Sequence, residues 1–284
     1  MSRIRAALSA PGTLAIAPFA LLLLVFTLMA LLAPVLAPLD PARQSLLARL
    51  RPPGSMAGGI TFWLGTDELG RDLLSRVIHG ARASLAVALL SVIVSGILGT
   101  ALGVLAGYRR GWVEVAIMRA VDVMLSIPAI LLAIITVAVL GPGFLNLVLV
   151  LGFTRWPRYT RVAYAQTLGQ AGLPYVTAAR LAGARMPRLL LRHILPNIAA
   201  PLVVVATLEF GLMILFEAGL SFLGLGIQPP TPSWGSIMST GRNYVGTAWW
   251  IATFPGICLF LLVLSVNICG DHLRDRFDPR ATIR

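Results

Sequence analysis

The sequence predicts an all-α, polytopic membrane protein with about six membrane-crossing helices, and three observations carry that prediction. First, 57% of the 284 residues are hydrophobic and only 12% are charged, against about a quarter charged in a soluble domain. Second, the apolar residues fall in runs near the ~20 residues that cross a bilayer core as helix. Third, the formal net charge of +12 is not spread over the chain: seven arginines and no acid lie between Arg155 and Arg192. Together these exclude a soluble globular protein, a disordered tail and a fibrous repeat. All 23 basic residues are arginine, so chemistry that needs an amine is excluded as well: no Walker A lysine, no Schiff base, no kinase-type phosphate lysine. Any ATP must be bound by another chain. The two cysteines, Cys258 and Cys269, share one apolar run and would stand roughly 16 Å apart along a helix, beyond disulfide reach. They read as small apolar core residues.

The first apolar run, residues 14–37, is longer than the ~7–15 residues of a secretory signal and follows a basic start with Arg3 and Arg5, so it reads as a retained first helix. Residues 38–82 are too polar to span. The second span, 85–107, places small residues at every fourth position, Ser91, Ser95, Gly99, Gly103 and Gly107, which leaves one helix face nearly bare backbone. Such a ladder suits tight helix packing, where lipid removes any hydrophobic drive between helices; lining a passage is the other reading. The third span, 115–140, is interrupted by Pro128, and the turn Gly141-Pro142-Gly143 opens a fourth at 144–162. That span works as read only if Arg155 and Arg158 sit at the interface, where their heads reach water. A basic stretch leads to about Asn197, a fifth span covers 198–220, a Pro- and Gly-rich loop runs to 246, and a sixth span, 247–268, precedes a charged tail.

Basic loops stay cytoplasmic. The head, the Tyr108–Trp112 turn, the seven-arginine stretch and the tail then share the cytoplasmic side, with both termini there; the six arginines of residues 38–82 are the discordant item. The charge is thus a topological signal, and no nucleic acid partner is expected. The expected organisation is a first helix plus extracytoplasmic segment (1–83), a core of five helices with a cytoplasmic loop at about 163–197 (84–270), and a tail (271–284).

Within the basic loop, Tyr175-Val176-Thr177-Ala178-Ala179-Arg180-Leu181-Ala182-Gly183 is followed by His193-Ile194-Leu195-Pro196-Asn197. A short helix ended by glycine, then a second helical piece stopped before proline, makes a compact knob. Its arginines suit an acidic or polar cytosolic partner, or phospholipid headgroups. Ala178-Ala179, Gly183 and Leu195-Pro196 resemble the coupling loop of ABC-transporter permeases, whose pattern is Glu-Ala-Ala, then Gly, then Ile-x-Leu-Pro. The resemblance covers nearly the whole chain and points to the second permease subunit of the dipeptide, oligopeptide and nickel branch. It runs through Leu64–Asp72 with Ser75-Arg76, Gly80–Leu85, Ala106-Gly107-Tyr108, Met118-Arg119 with Asp122, Leu125–Pro128, Leu220–Gly226, Gln228–Gly235, and the tail blocks Gly270-Asp271, Leu273–Asp275 and Asp278–Arg280. Thr177 stands where the family pattern has Glu, and His193, followed by Ile194, where it has Ile; a contact made by that carboxylate would have to come from a neighbour such as Arg180.

The resemblance implies an importer permease of type I fold, paired with a second permease, two cytosolic ATPase subunits and an extracytoplasmic solute-binding protein. It implies peptides, nickel or related solutes as cargo, no catalysis and no cofactor in this chain, and a coupling loop carried by Thr177, Ala178, Ala179, Arg180, Gly183, His193, Leu195 and Pro196. Ionisable residues inside the membrane are functional candidates. Arg119 and Asp122 are neighbours on one helix face and read as a local ion pair. Glu209 and Glu217 have no cation within four residues and are candidates for the passage or its gate. A secondary, proton-coupled transporter using Glu209, Glu217 or Asp122 is the alternative. An intramembrane enzyme is disfavoured, since His79, His193 and His272 stand beside no nucleophile or metal cluster.

Overall fold

The computed structural model describes residues 13–277. Arg3 and Arg5 of the basic start, and Asp278-Pro279-Arg280 of the tail, lie outside the described residues. Helix α1, Thr13–Leu31, is built from the first apolar run, with Pro18 inside it. A further turn, α2 (Ala33–Leu36), carries Pro34 in its first turn, where the missing N–H would have no helical partner anyway. The polar stretch that follows folds into a 3₁₀ turn, Leu46–Ala48, and a small antiparallel hairpin. In it, β1 (Ser55–Ala57) pairs with β2 (Ile60–Phe62), Ser55 opposite Phe62 and Ala57 opposite Ile60. The hairpin closes through Gly58 and Gly59, both at positive φ, as a two-residue turn that follows the strand twist requires. These two strands are an addition to the all-α expectation.

Helix α3, Leu73–Arg109, is 37 residues long. It begins well before the apolar span at 85–107, because the Asp72 carboxylate caps it, accepting from the Ser75 amide at 2.8 Å. The expected boundary at residue 83 therefore runs through a continuous helix. The predicted third span is a bent pair rather than one rod: α4 (Gly111–Ser126) and α5 (Ala129–Leu140) meet at 91°. Pro128 disfavours helical geometry in the residue before it, and Ile127 is extended, at φ −97° and ψ 130°. Helix α6, Phe144–Ala171, continues nine residues past the expected end at 162. Then come α7 (Pro174–Leu181), α8 (Met186–Leu189), a π-turn (Leu190–Ile194), α9 (Leu195–Phe222), α10 (Trp234–Gly241) and α11 (Trp250–Phe277). Among the described residues, Leu73–Arg109, Met186–Phe222 and Trp250–Asp275 are long and apolar enough to cross a membrane by themselves; the bent α4–α5 pair passes only when joined, and Ile16–Leu31 is a shorter apolar helix. Helix α6 is long enough to cross but carries three of the arginines, Arg155, Arg158 and Arg161.

The main core joins α1, α3, α5, α6, α9, α10 and α11 through residues such as Phe26, Val87, Val137, Leu151, Ile214, Trp234 and Leu262. Its closest helix contact is α3 against α6. A Cβ on Gly99 would collide with the Trp156 carbonyl, one on Gly103 with the Thr160 carbonyl, and one on Gly107 would come within 2.8 Å of Thr167 Cβ. Thr160 Oγ1 donates to the Gly99 carbonyl at 3.0 Å, and Ser91 Oγ to the Val148 carbonyl at 3.3 Å. The small-residue ladder is thus a packing face, with side chains absent so that two backbones can approach. At one end of the bundle, indole N–H groups tie segments together: Trp234 donates to the Val77 carbonyl at 2.9 Å and Trp250 to the Thr66 carbonyl at 3.1 Å.

Candidate functional site

The knob at the other end is built on a second core. Val176 of α7, Leu189 of α8 and Ile194 of the π-turn are buried against Val104, Tyr159, Ala163, Ile198 and Leu202, so three apolar anchors fix a segment whose remaining surface is exposed. Helix α7 ends in a Schellman arrangement: the Ala184 amide donates to Ala179 and the Gly183 amide to Arg180. Gly183 holds φ +80°, a left-handed geometry that glycine adopts without steric cost. The π-turn, whose wider winding adds a residue, carries Arg192 and His193 and joins α8 to α9. Asn197 clamps the junction by donating to the His193 carbonyl at 2.6 Å. Tyr175 donates to Gln170 Oε1 at 2.7 Å, and the Arg180 guanidinium lies 5.5 Å from the centre of the Tyr108 ring.

Of the expected coupling residues, Thr177, Ala178, Arg180, Gly183 and Pro196 are exposed, while Ala179, His193 and Leu195 are partly covered. The Thr177 hydroxyl reaches only the Leu173 carbonyl, at 3.4 Å. Leu181 projects with 84% of its surface exposed and Leu191 with 67%, beside the exposed Arg180, Arg185, Arg188 and Arg192. The knob therefore exposes both large apolar side chains and positive charge. It is continuous with the longest stretch of α9, since Met186–Phe222 forms one helical rod.

The membrane charges are placed differently from the sequence expectation. Arg155 does not reach water but is buried: its Nε donates to Glu209 Oε2 at 2.8 Å and its Nη2 to Oε1 at 3.3 Å. Arg158 Nη1 adds a contact to Oε1 at 3.2 Å from a half-exposed position. Glu209 is only 1% exposed, so α6 brings two cations to a carboxylate that has none nearby in its own helix. Arg155 also lies 5.0 Å from the centre of the Phe216 ring. Arg158, Arg161 and Glu209 line a cavity of about 500 Å³. Asp122 pairs with Arg161 at 2.8 Å, across helices rather than with Arg119 as expected from spacing. Glu217, fully buried, accepts from Ser221 Oγ at 2.7 Å, and its Oε2 has no partner among the described residues. His79 Nδ1 lies 3.0 Å from the Ser75 carbonyl oxygen. Both cysteines are free, and among the described residues no group of His, Cys, Asp and Glu could hold a metal ion.

At the end opposite the knob lies a third polar cluster, not singled out as a site by its sequence. Arg71 Nε donates to Asp67 Oδ2 at 2.6 Å and its Nη2 to Glu68 Oε1 at 2.9 Å. Arg76 Nε stands 3.3 Å from the same Asp67 oxygen. Burial, and then the neighbouring Asp67 charge, push the Glu68 carboxyl above the usual carboxylate range. Leu64–Asp72 with Ser75-Arg76 carries part of the family resemblance, but the i,i+4 spacing of Asp67 and Arg71 is too common to mark a site by itself.

Residues 99–283 match the family described as the binding-protein-dependent transport system inner membrane component. The di/tripeptide transport system permease protein DppC of Pseudomonas aeruginosa is 49% identical over 92% of this chain and 86% of its own length. The dipeptide transport system permease protein DppC of Escherichia coli K12 is 46% identical over 88% and 84%, and that of Haemophilus influenzae is 41% identical over 91% and 88%. Among solved structures, an inward-facing conformation of the MetNI methionine ABC transporter superposes with a TM-score of 0.56 over 72% of this chain and 95% of that one, at 21% identity, which establishes the fold as that of a type I importer permease. The family match, spanning well over half of the chain, and the likeness to these permeases over 88–92% of it agree with the knob and the bundle: this chain belongs to the family of inner membrane components of binding-protein-dependent transport systems.

Proposed function

We propose that this chain is the second permease subunit of an ATP-driven importer whose cargo is di- and oligopeptides. It pairs with a similar permease to enclose the passage, two cytosolic ATPase subunits supply the energy, with the knob fitting a groove on the ATPase, and an extracytoplasmic solute-binding protein delivers the peptide to the opposite end. The names of the relatives support the cargo, and the concentration of arginine in and before the knob supports a cytoplasmic knob and cytoplasmic termini. The chain itself performs no catalysis.

The observation that carries the mechanism is mechanical. Buried Val176, Leu189 and Ile194 lock the knob to the bundle, and Met186–Phe222 is one rod, long and apolar enough to cross a membrane, that starts in the knob. Closure of the ATPases on Thr177–Pro196 would move that rod, and the two permeases would rock between inward- and outward-open states. Glu209, held by Arg155 and Arg158 beside the cavity, is the gating element in this reading. Glu217, buried and bonded to Ser221, holds the end of α9 in place. With the assembled complex in proteoliposomes, uptake of a labelled dipeptide should need ATP and the binding protein and persist in the presence of an uncoupler. Uptake that collapses with the uncoupler while ATP remains would instead establish a proton-coupled carrier.

A further inference from the structure

The cavity between α4, α6 and α9 has a volume of about 500 Å³, and its wall combines Arg158, Arg161 and Glu209 with the apolar Leu125, Val205 and Leu208. Helix α9 runs from Leu195 to Phe222, so Glu209 stands about 20 Å from either end at ~1.5 Å per residue. At such depth a charged side chain faces the inside of a bundle or a water-filled cavity, because lipid cannot solvate it. Yet the side chains of Arg158 and Arg161 are 53% and 55% exposed in this chain. These guanidiniums therefore face the interior of the assembled transporter rather than lipid.

The two differ in how firmly they are held. Arg161 pairs with Asp122 at 2.8 Å, the one acid it meets. Arg158 makes a single hydrogen bond among the described residues, from Nη1 to Glu209 Oε1 at 3.2 Å. Glu209 already accepts from buried Arg155 through both of its oxygens. Arg158 can thus leave without stranding Glu209, and its remaining N–H groups are open to the cavity side. Locally, Arg155, Arg158 and Arg161 meet two acids, Glu209 and Asp122. The next acids on these helices, Glu114 and Glu217, lie eight residues beyond Asp122 and Glu209, about 12 Å along the axis. They are bonded to Tyr164 and Ser221, whereas Arg119 is only three residues from Asp122. The cavity is short of one negative charge.

A carboxylate on an otherwise apolar ligand supplies that charge, and a guanidinium receives it through two parallel hydrogen bonds. An inorganic anion would leave the leucine and valine wall unused. We propose that Arg158 recognises cargo inside the passage, exchanging Glu209 for the C-terminal carboxylate of a passing short peptide while Arg155 keeps Glu209 neutralised. The proposal rests on the peptide-import reading above and names the group that the cargo meets in the permease itself.

The test uses the solubilised complex of both permeases and the ATPases, without the binding protein. It measures equilibrium binding of tritiated L-alanyl-L-leucine in competition with the unlabelled dipeptide or its C-terminal amide. The free acid should compete at least tenfold better than the amide. Arg158→Gln should remove that preference and Arg158→Lys should keep part of it. Glu209→Gln, which frees Arg158 from its competitor, should raise it. Opposite signs from two members of one ion pair cannot arise from general loss of structure, and where Glu209→Gln fails to assemble, the two Arg158 variants decide. An unchanged preference in Arg158→Gln, or an assembled Glu209→Gln complex without any rise, overturns the exchange. No binding of the labelled dipeptide, or equal competition by acid and amide, overturns it as well; ATP-driven uptake by the same complex with its binding protein then tells whether the import reading stands. A complex that shows the preference, loses it in Arg158→Gln and imports no peptide upholds the recognition site and contradicts the import reading.

Discussion

Glu209 is 1% exposed in the middle of a long apolar helix, and a lone carboxylate there would be prohibitively unstable. Arg155 and Arg158 make it tolerable, and the arrangement is asymmetric: Arg155 is buried with it, whereas Arg158 is half-exposed. Removing one partner of a buried pair strands the other, at a cost of about 3–5 kcal/mol. Glu209→Gln, which leaves the Arg155 charge uncompensated, should therefore lower the thermal unfolding midpoint of the solubilised protein markedly. Asp122→Asn, in a pair exposed on both sides, should cost under ~1 kcal/mol and barely move it. Equal shifts for the two variants would contradict the burial argument. The sequence exposed Glu209 as an anomaly but not its partners, because those lie 51 and 54 residues away and no helical window reaches so far. For the same reason Asp122 reads as a partner of Arg119 by spacing, while packing of α4 on α6 gives it Arg161. Gly183 is the opposite case: a glycine after a run of helix formers is a local signal for a left-handed cap, and the φ of +80° follows.

At the scale of elements, the α3–α6 contact depends on what its glycines lack. Gly103→Leu would drive a side chain into the Thr160 carbonyl and the Ala163 methyl. It should reduce the amount of folded protein recovered from membranes severalfold. Gly169→Ala, at a helical position with open space around it, should instead be neutral or stabilise by up to ~1 kcal/mol through helix propensity. Recovery and thermal unfolding of the two variants side by side check this, and a harmless Gly103→Leu would refute the close-packing assignment. This ladder was legible because its period of four is a property of one helix. The break at Pro128 was visible too, but not its size, since a 91° bend depends on what the two halves pack against. The early start of α3 was hidden by Arg76, His79 and Arg82, polar residues that make residues 73–84 read as loop. The β1–β2 hairpin was hidden because strands of three residues are too short to display alternation.

Considered whole, the molecule places an arginine-rich knob at one end of an apolar bundle and a polar cavity lined by Glu68, Arg71 and Arg76 at the other. The net +12 of the chain is concentrated toward the knob, and the absence of lysine leaves nucleotide chemistry to partner chains. In the proposed mechanism, force from those partners enters this chain through the knob. Gly183 offers the most direct probe, because a Cβ there meets nothing within 4 Å in this chain and the left-handed φ costs a substituted residue only about 1–2 kcal/mol. A tryptophan at this position would project outward into the docking surface without disturbing the core. In proteoliposomes containing the assembled complex, Gly183→Trp should insert normally, retain its helical content, and lose at least tenfold of ATP-driven dipeptide uptake together with co-purification of the ATPases. Normal uptake by a correctly inserted Gly183→Trp protein would contradict the claim that the knob couples this chain to ATP.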